Sequence, residues 1–122
     1  TIMDTRKNER LIAAGIDTAS ALERMMGNEM LLERFLKQFL DDPNFEALKR
    51  AIAENDQDAA LTAAHTLKGL CGNLSMTVLF DLFTRQVAAF RAGDWAGAAA
   101  MMEDISAAYD QVTAAVREVF AQ

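Results

Sequence analysis

The stretch DAALTAAHTLKGLCGNLSM, residues 58–76, decides the fold. Turned at about 100° per residue, it gathers Ala60, Ala63, Ala64, Leu67, Leu70, Cys71 and Leu74 on one broad apolar face. The opposite face collects His65, Lys68, Gly69 and Gly72, with Leu61 and Met76 among them. The apolar face continues without a break through Gly69, so the spacing predicts a helix that keeps going through a glycine. Each mid-helix glycine costs about 1 kcal/mol relative to alanine.

Working outward, the same periodicity runs along nearly the whole chain. A short helix over roughly residues 5–14 is closed by Gly15. Asp17 or Thr18 caps a second, carrying Ala19, Leu22 and Met26 and closed by Gly27. From Asn28 a stronger helix sets Leu32, Phe35, Leu36 and Phe39 on one face. Pro43 has no N–H for the helical ladder, so it either kinks that helix or begins a new one. Phe45, Leu48 and Ile52 continue the stripe to about Asn55. Asp56 or Asp58 caps the helix of the opening stretch. Leu79, Phe80, Phe83, Val87 and Phe90 line the next, which ends near Gly93. Asp94 caps the last, with Trp95, Met102, Ile105, Tyr109, Val112, Val116 and Phe120 facing the core. Short connections between long amphipathic helices favour antiparallel neighbours. The expected fold is all-α: an up-and-down antiparallel four-helix bundle over residues 16–122, preceded by a helical extension over residues 1–15, with short additional N-terminal helices.

Composition excludes much else. At 122 residues the chain is one domain's worth. One proline and six glycines leave little material for the frequent turns of a sandwich or barrel. The net charge is −6, from 12 basic and 18 acidic residues, and the densest basic stretch holds only Arg6, Lys7 and Arg10. A phosphate backbone is repelled by such a field, so nucleic acid is not an expected partner. The single Cys71 forms no internal disulfide, and no Cys/His cluster has metal-ligand spacing. No leader or membrane-spanning run is visible, and membrane insertion is not expected. These features fit the cytoplasm. Opening on Thr1, the chain also reads as a fragment of something longer.

His65 is the only histidine in the chain, and the helical wheel turns it to solvent. Gly69 and Gly72, at the next positions on its face, clear the surface around the imidazole. Lys68, one turn on, places a cation where a group attached to His65 would hang. Each feature has a plainer reading. A lone exposed histidine is most often a solvated surface residue. Gly72 before Asn73 also reads as a helix end, and Leu61 and Met76 as ordinary exposed apolar residues. Gly69 resists such a reading, and the coincidence of all of them on one face suits a histidine that accepts an anionic group.

At these residues the chain resembles histidine-containing phosphotransfer (HPt) domains. Their His-x-x-Lys-Gly hallmark, within a longer Ala-His-x-Leu-Lys-Gly string, is matched by Ala64-His65-Thr66-Leu67-Lys68-Gly69. The likeness extends from Ile16 to about Val116, through GIDTASALERMMG, LLERFLKQFL and IAENDQDAALTAAH. Where the family often has a glycine ten residues after the histidine, this chain has Ser75, small enough to preserve access. A frequently small position is Cys71, and an acidic residue common in the following helix is replaced by Gln86 or Val87.

The resemblance implies a four-helix bundle whose histidine carries phosphate between receiver domains in a multistep phosphorelay. His65 is then the phospho-acceptor, Lys68 stabilises the phosphoryl oxygens and Gly69 provides steric access. Neutral imidazole is the nucleophile, an aspartyl phosphate the donor. No Walker-type loop or Gly-rich kinase lid is visible, so the chain is expected to be a carrier rather than an enzyme. It needs no cofactor of its own, with Mg²⁺ held by the partner receiver. Receiver domains of response regulators or hybrid kinases are the expected partners. Leu61, Gly72, Ser75 and Met76, with an edge of the Phe35/Phe39 helix, are the expected docking residues around His65. Three alternatives stand beside this: a non-transferring adaptor that binds receivers, a haem-binding bundle using His65 and one of seven methionines, and a piece of a hybrid sensor kinase.

Overall fold

The computed structural model describes residues 4–121. Among these, eight helices follow one another: α1 (Thr5–Ala13), α2 (Thr18–Arg24), α3 (Glu29–Leu40), α4 (Asn44–Ala53), α5 (Gln57–Asn73), α6 (Thr77–Arg91), α7 (Trp95–Ala100) and α8 (Met102–Val119). Five start on a side chain that satisfies an otherwise orphaned N–H. Asp4, Asp17, Asn28, Asp56 and Asp94 accept from the backbone of Lys7, Ser20, Leu31, Ala59 and Gly97 respectively, at 2.9–3.1 Å. Of the paired alternatives in the sequence, Asp17 and Asp56 are the caps. Pro43 begins a new helix rather than kinking α3, and Asp42 Oδ1 beside it accepts from Asn44 N at 2.9 Å and Asn44 Nδ2 at 2.8 Å.

The long helices close a ring. α4 packs on α5, α5 on α6, and α6 on α7 and α8, while α8 returns against α3. With α3/α4 and α7/α8 each counted as one interrupted arm, this is the expected all-helical four-helix bundle. Its core is built from Leu32, Leu36, Leu48, Leu67, Leu79, Phe83, Ile105 and Val116, all at 0% exposure. α1 lies along α8 and sinks Leu11 into the same core.

Three details differ from the sequence reading. The last helix is not continuous but breaks at Met101. The carboxamide of Gln86, wholly buried on α6, donates from Nε2 to the Ala98 carbonyl at 3.1 Å and to Met102 Sδ at 3.2 Å. A side chain that claims a ladder carbonyl interrupts a helix, and the nearby Gly97 lies inside α7 rather than at the break. Met26, expected on the packed face of the second helix, lies beyond its end at φ +56° and is 94% exposed. Phe35 and Phe80, expected to face inward, are 37% and 40% exposed.

Candidate functional site

The geometry of the site begins at the end of α5. There the chain enters a left-handed turn at Ser75, φ +52°. Met76 N–H donates to Cys71 O at 2.9 Å and Ser75 N–H to Gly72 O at 3.2 Å, the paired bonds of a Schellman cap. So the position where the family often has glycine is demanding for its backbone conformation, not for access as the sequence suggested. Ser75 itself is buried. The α1–α2 connection is laced to this turn: Asp17 N–H donates to Ser75 O at 2.8 Å, Thr77 N–H to Gly15 O at 3.0 Å, and Ser75 Oγ to Ser20 Oγ at 3.0 Å. These bonds bring α2, distant in sequence, alongside α5.

Between them lies an open groove of about 450 Å³. Ser20 and Arg24 of α2 form one wall. His65, Lys68, Gly69 and Gly72 of α5 form another, and Ser75, Thr77 and Phe80 close its end. His65 is exposed and Lys68 half-buried. Among the described residues, no carboxylate lines the groove, although acidic residues outnumber basic ones 18 to 12 in the chain. The groove is a locally cationic spot on an acidic molecule, suited to an anion.

The two glycines of α5 have different physical reasons. A Cβ at Gly69 meets nothing within 4 Å, whereas one at Gly72 comes within 3.1 Å of the Phe80 ring carbons Cδ1 and Cε1. Packing therefore accounts for Gly72. Among the described residues nothing crowds position 69, and the surface there is open.

Other expected residues fall elsewhere. Met76, placed by the wheel beside His65, is fully buried, because the helix has already ended and the cap turns it inward to pair with Ile16. Leu61 is half-buried against the core and lines a small cleft with Phe90 and Trp95, not the His65 groove. Phe39 is core at 3% exposure. Phe35 lines an adjoining apolar groove of about 480 Å³ with Met25, Leu70 and Leu74, which shares Arg24 and Asn73 with the first. Cys71 forms the buried floor, where desolvation, helped by the charge of Asp42, pushes its thiol up to about 12. It stays protonated and unreactive at neutral pH. Among the described residues, no methionine lines the His65 groove. The sequence reading missed Ser20 and Arg24. Each is an ordinary surface residue of a short helix until the turn bonds bring that helix to the groove that His65 lines.

A helical bundle presents one exposed histidine in a groove beside a lysine, with a bare glycine next to it. The model of the Hpt domain family matches residues 30–115, most of the chain, and the protein belongs to that family. Hpt domains are phosphoryl carriers of phosphorelays. No curated protein and no solved structure matches the chain. Helices α1 and α2 precede the matched segment. No described helix is long and apolar enough to cross a membrane.

Proposed function

We propose that this protein relays a phosphoryl group between aspartates of receiver domains through phosphohistidine at His65. The observation that carries the reading is the exposed imidazole in a groove with Lys68 beside it, Gly69 bare and no carboxylate among the described lining residues. An imidazole nitrogen attacks the phosphorus of an aspartyl phosphate in line. The N–P bond forms as the acyl O–P bond breaks, and the receiver's carboxylate leaves. Lys68 offsets charge on the phosphoryl oxygens. Mg²⁺ and the remaining catalytic groups come from the receiver, and the reverse step loads a second aspartate. The adjoining apolar groove around Phe35 and Leu70 offers a receiver contact surface next to the histidine.

Incubation with a phosphorylated receiver and Mg²⁺, followed by mass spectrometry under mildly alkaline conditions, tests this. The expected result is an acid-labile gain of one phosphoryl group on His65, absent from His65→Gln, whose helicity is unchanged. Lys68→Ala slows transfer by about tenfold or more, in the manner of a lost transition-state donor, without abolishing binding. Binding without transfer by the wild-type protein overturns the carrier reading in favour of an adaptor.

A further inference from the structure

The cations of the His65 groove come from two different helices. Lys68 stands on α5 itself, and Arg24 stands on α2, across the groove. Arg24 is exposed, and among the described residues it enters no ion pair or hydrogen bond. It is not what holds α2 in place. That is done by the Asp17–Ser75 and Ser20–Ser75 bonds and by buried Thr18 and Ala21. Ser20 lies one helical turn before Arg24, so the hydroxyl pinned to Ser75 and the guanidinium share a face of α2. A guanidinium without a partner among the described residues thus stands on a fixed helix, lining a groove to which no described carboxylate contributes. Its planar fork matches two phosphoryl oxygens, which a lysine ammonium cannot do.

We propose that Arg24 is a second phosphoryl-binding residue, supplied by a helix outside the family-matched segment, which pairs with the group carried on His65. This rests on His65 being the acceptor. In the loaded state Arg24 and Lys68 approach the phosphoryl oxygens from opposite walls. During transfer Arg24 offsets the charge on those oxygens as the bond to the imidazole nitrogen forms and the bond to the leaving group breaks.

Phosphoramidate, a small donor that needs no docking, isolates this role. The donor N–P bond breaks, the imidazole N–P bond forms, and the imidazole proton departs on the released ammonia. Uptake is measured by mass spectrometry for the wild type and for His65→Gln, Arg24→Gln, Arg24→Lys and Arg91→Ala, each checked for helicity. Arg91, at the far end of α6, controls for net charge. The expected result is uptake slowed about three- to tenfold in Arg24→Gln, the range for a partly screened charge-assisted contact. Arg24→Lys recovers part of the rate, Arg91→Ala is unchanged, and the Arg24→Gln deficit shrinks as salt rises. In ³¹P NMR of the loaded protein, the phosphoryl titration moves to higher pH in Arg24→Gln, because the cation favours the dianion.

A wild-type rate and titration in Arg24→Gln overturn the proposal while leaving His65 as acceptor. Equal slowing in Arg91→Ala, or a deficit that neither salt nor lysine changes, overturns it as well. No uptake by the folded wild type, or uptake persisting in His65→Gln, removes the acceptor reading and this inference with it.

Discussion

Gly69 and Gly72 lie three residues apart on one helix, yet the same substitution has different consequences at the two. An alanine at 69 enters open space and gains the roughly 1 kcal/mol of helix propensity that glycine forgoes. An alanine at 72 gains the same propensity but must displace the Phe80 ring, 3.1 Å from the new methyl. Gly69→Ala is therefore expected to raise the unfolding free energy by about 1 kcal/mol, and Gly72→Ala by distinctly less. Denaturant titration of the two variants checks this, and equal gains would remove the packing account of Gly72. Gly69→Leu takes the comparison to function. Its bulk is expected to block transfer from a receiver protein while leaving uptake from phosphoramidate intact, because only the larger donor needs the clearance. Loss of both would show that Gly69 serves the fold of the site rather than access to it.

At the scale of the element, the ends of the helices are more informative than their middles. The chain leaves α1, α2, α4, α5 and α6 through left-handed residues: Gly15, Met26 followed by Gly27, Asn55, Ser75 and Gly93. Three of the six are glycine, so glycine alone is an incomplete guide to where helices stop. Helix starts are read more securely, since an aspartate or asparagine ahead of an apolar run has a specific orphan N–H to satisfy. The histidine helix depends on Asp56 for this, with its carboxylate accepting from Ala59 N–H at 3.1 Å. Asp56→Ala is expected to cost about 1 kcal/mol, a fall of roughly 4 °C in Tm for a domain of this size. Phosphoryl uptake by the folded protein is unaffected, since the cap lies more than two turns from His65. An unchanged melting curve would show that tertiary packing alone fixes where α5 begins.

The whole molecule adds an alkaline sensitivity that no single element shows. Cys71 is pushed up from 9.0 to about 12 by desolvation and then by Asp42. Tyr109, stacked on Phe45 with ring centroids 4.0 Å apart, is pushed up from 10.0 to about 12, again by desolvation first and Asp42 next. The two groups come from opposite sides of the ring of helices and meet the same carboxylate. Both are acids held neutral by the fold. The unfolded chain loses these protons first, so the folded state holds more protons between the two sets of values, and stability falls as pH rises there. The contribution is intact below pH 9 and is lost progressively towards pH 12. Denaturant midpoints measured across that window are expected to decline, and less steeply in Cys71→Ala. A flat profile would mean that both groups ionise without opening the core.

The amino-acid sequence by itself determined the periodic, local part of this protein. The helices, most of their caps, the outward turn of His65 with Lys68 and Gly69, and the family all follow from spacing and from the Ala64–Gly69 string, because a helix converts sequence separation directly into position on a face. Only the tertiary structure decided what depends on distant segments meeting. It turned Met76 inward at the cap, sent Leu61 to another cleft, and broke the last arm where Gln86 reaches Ala98. It also brought Arg24 of α2 into the lining of the groove that holds His65. The reason is physical. Which solvent-facing residue shares a groove with which other depends on backbone bonds such as Asp17 to Ser75, and backbone groups are the same in every residue, so the sequence carries no periodic trace of them.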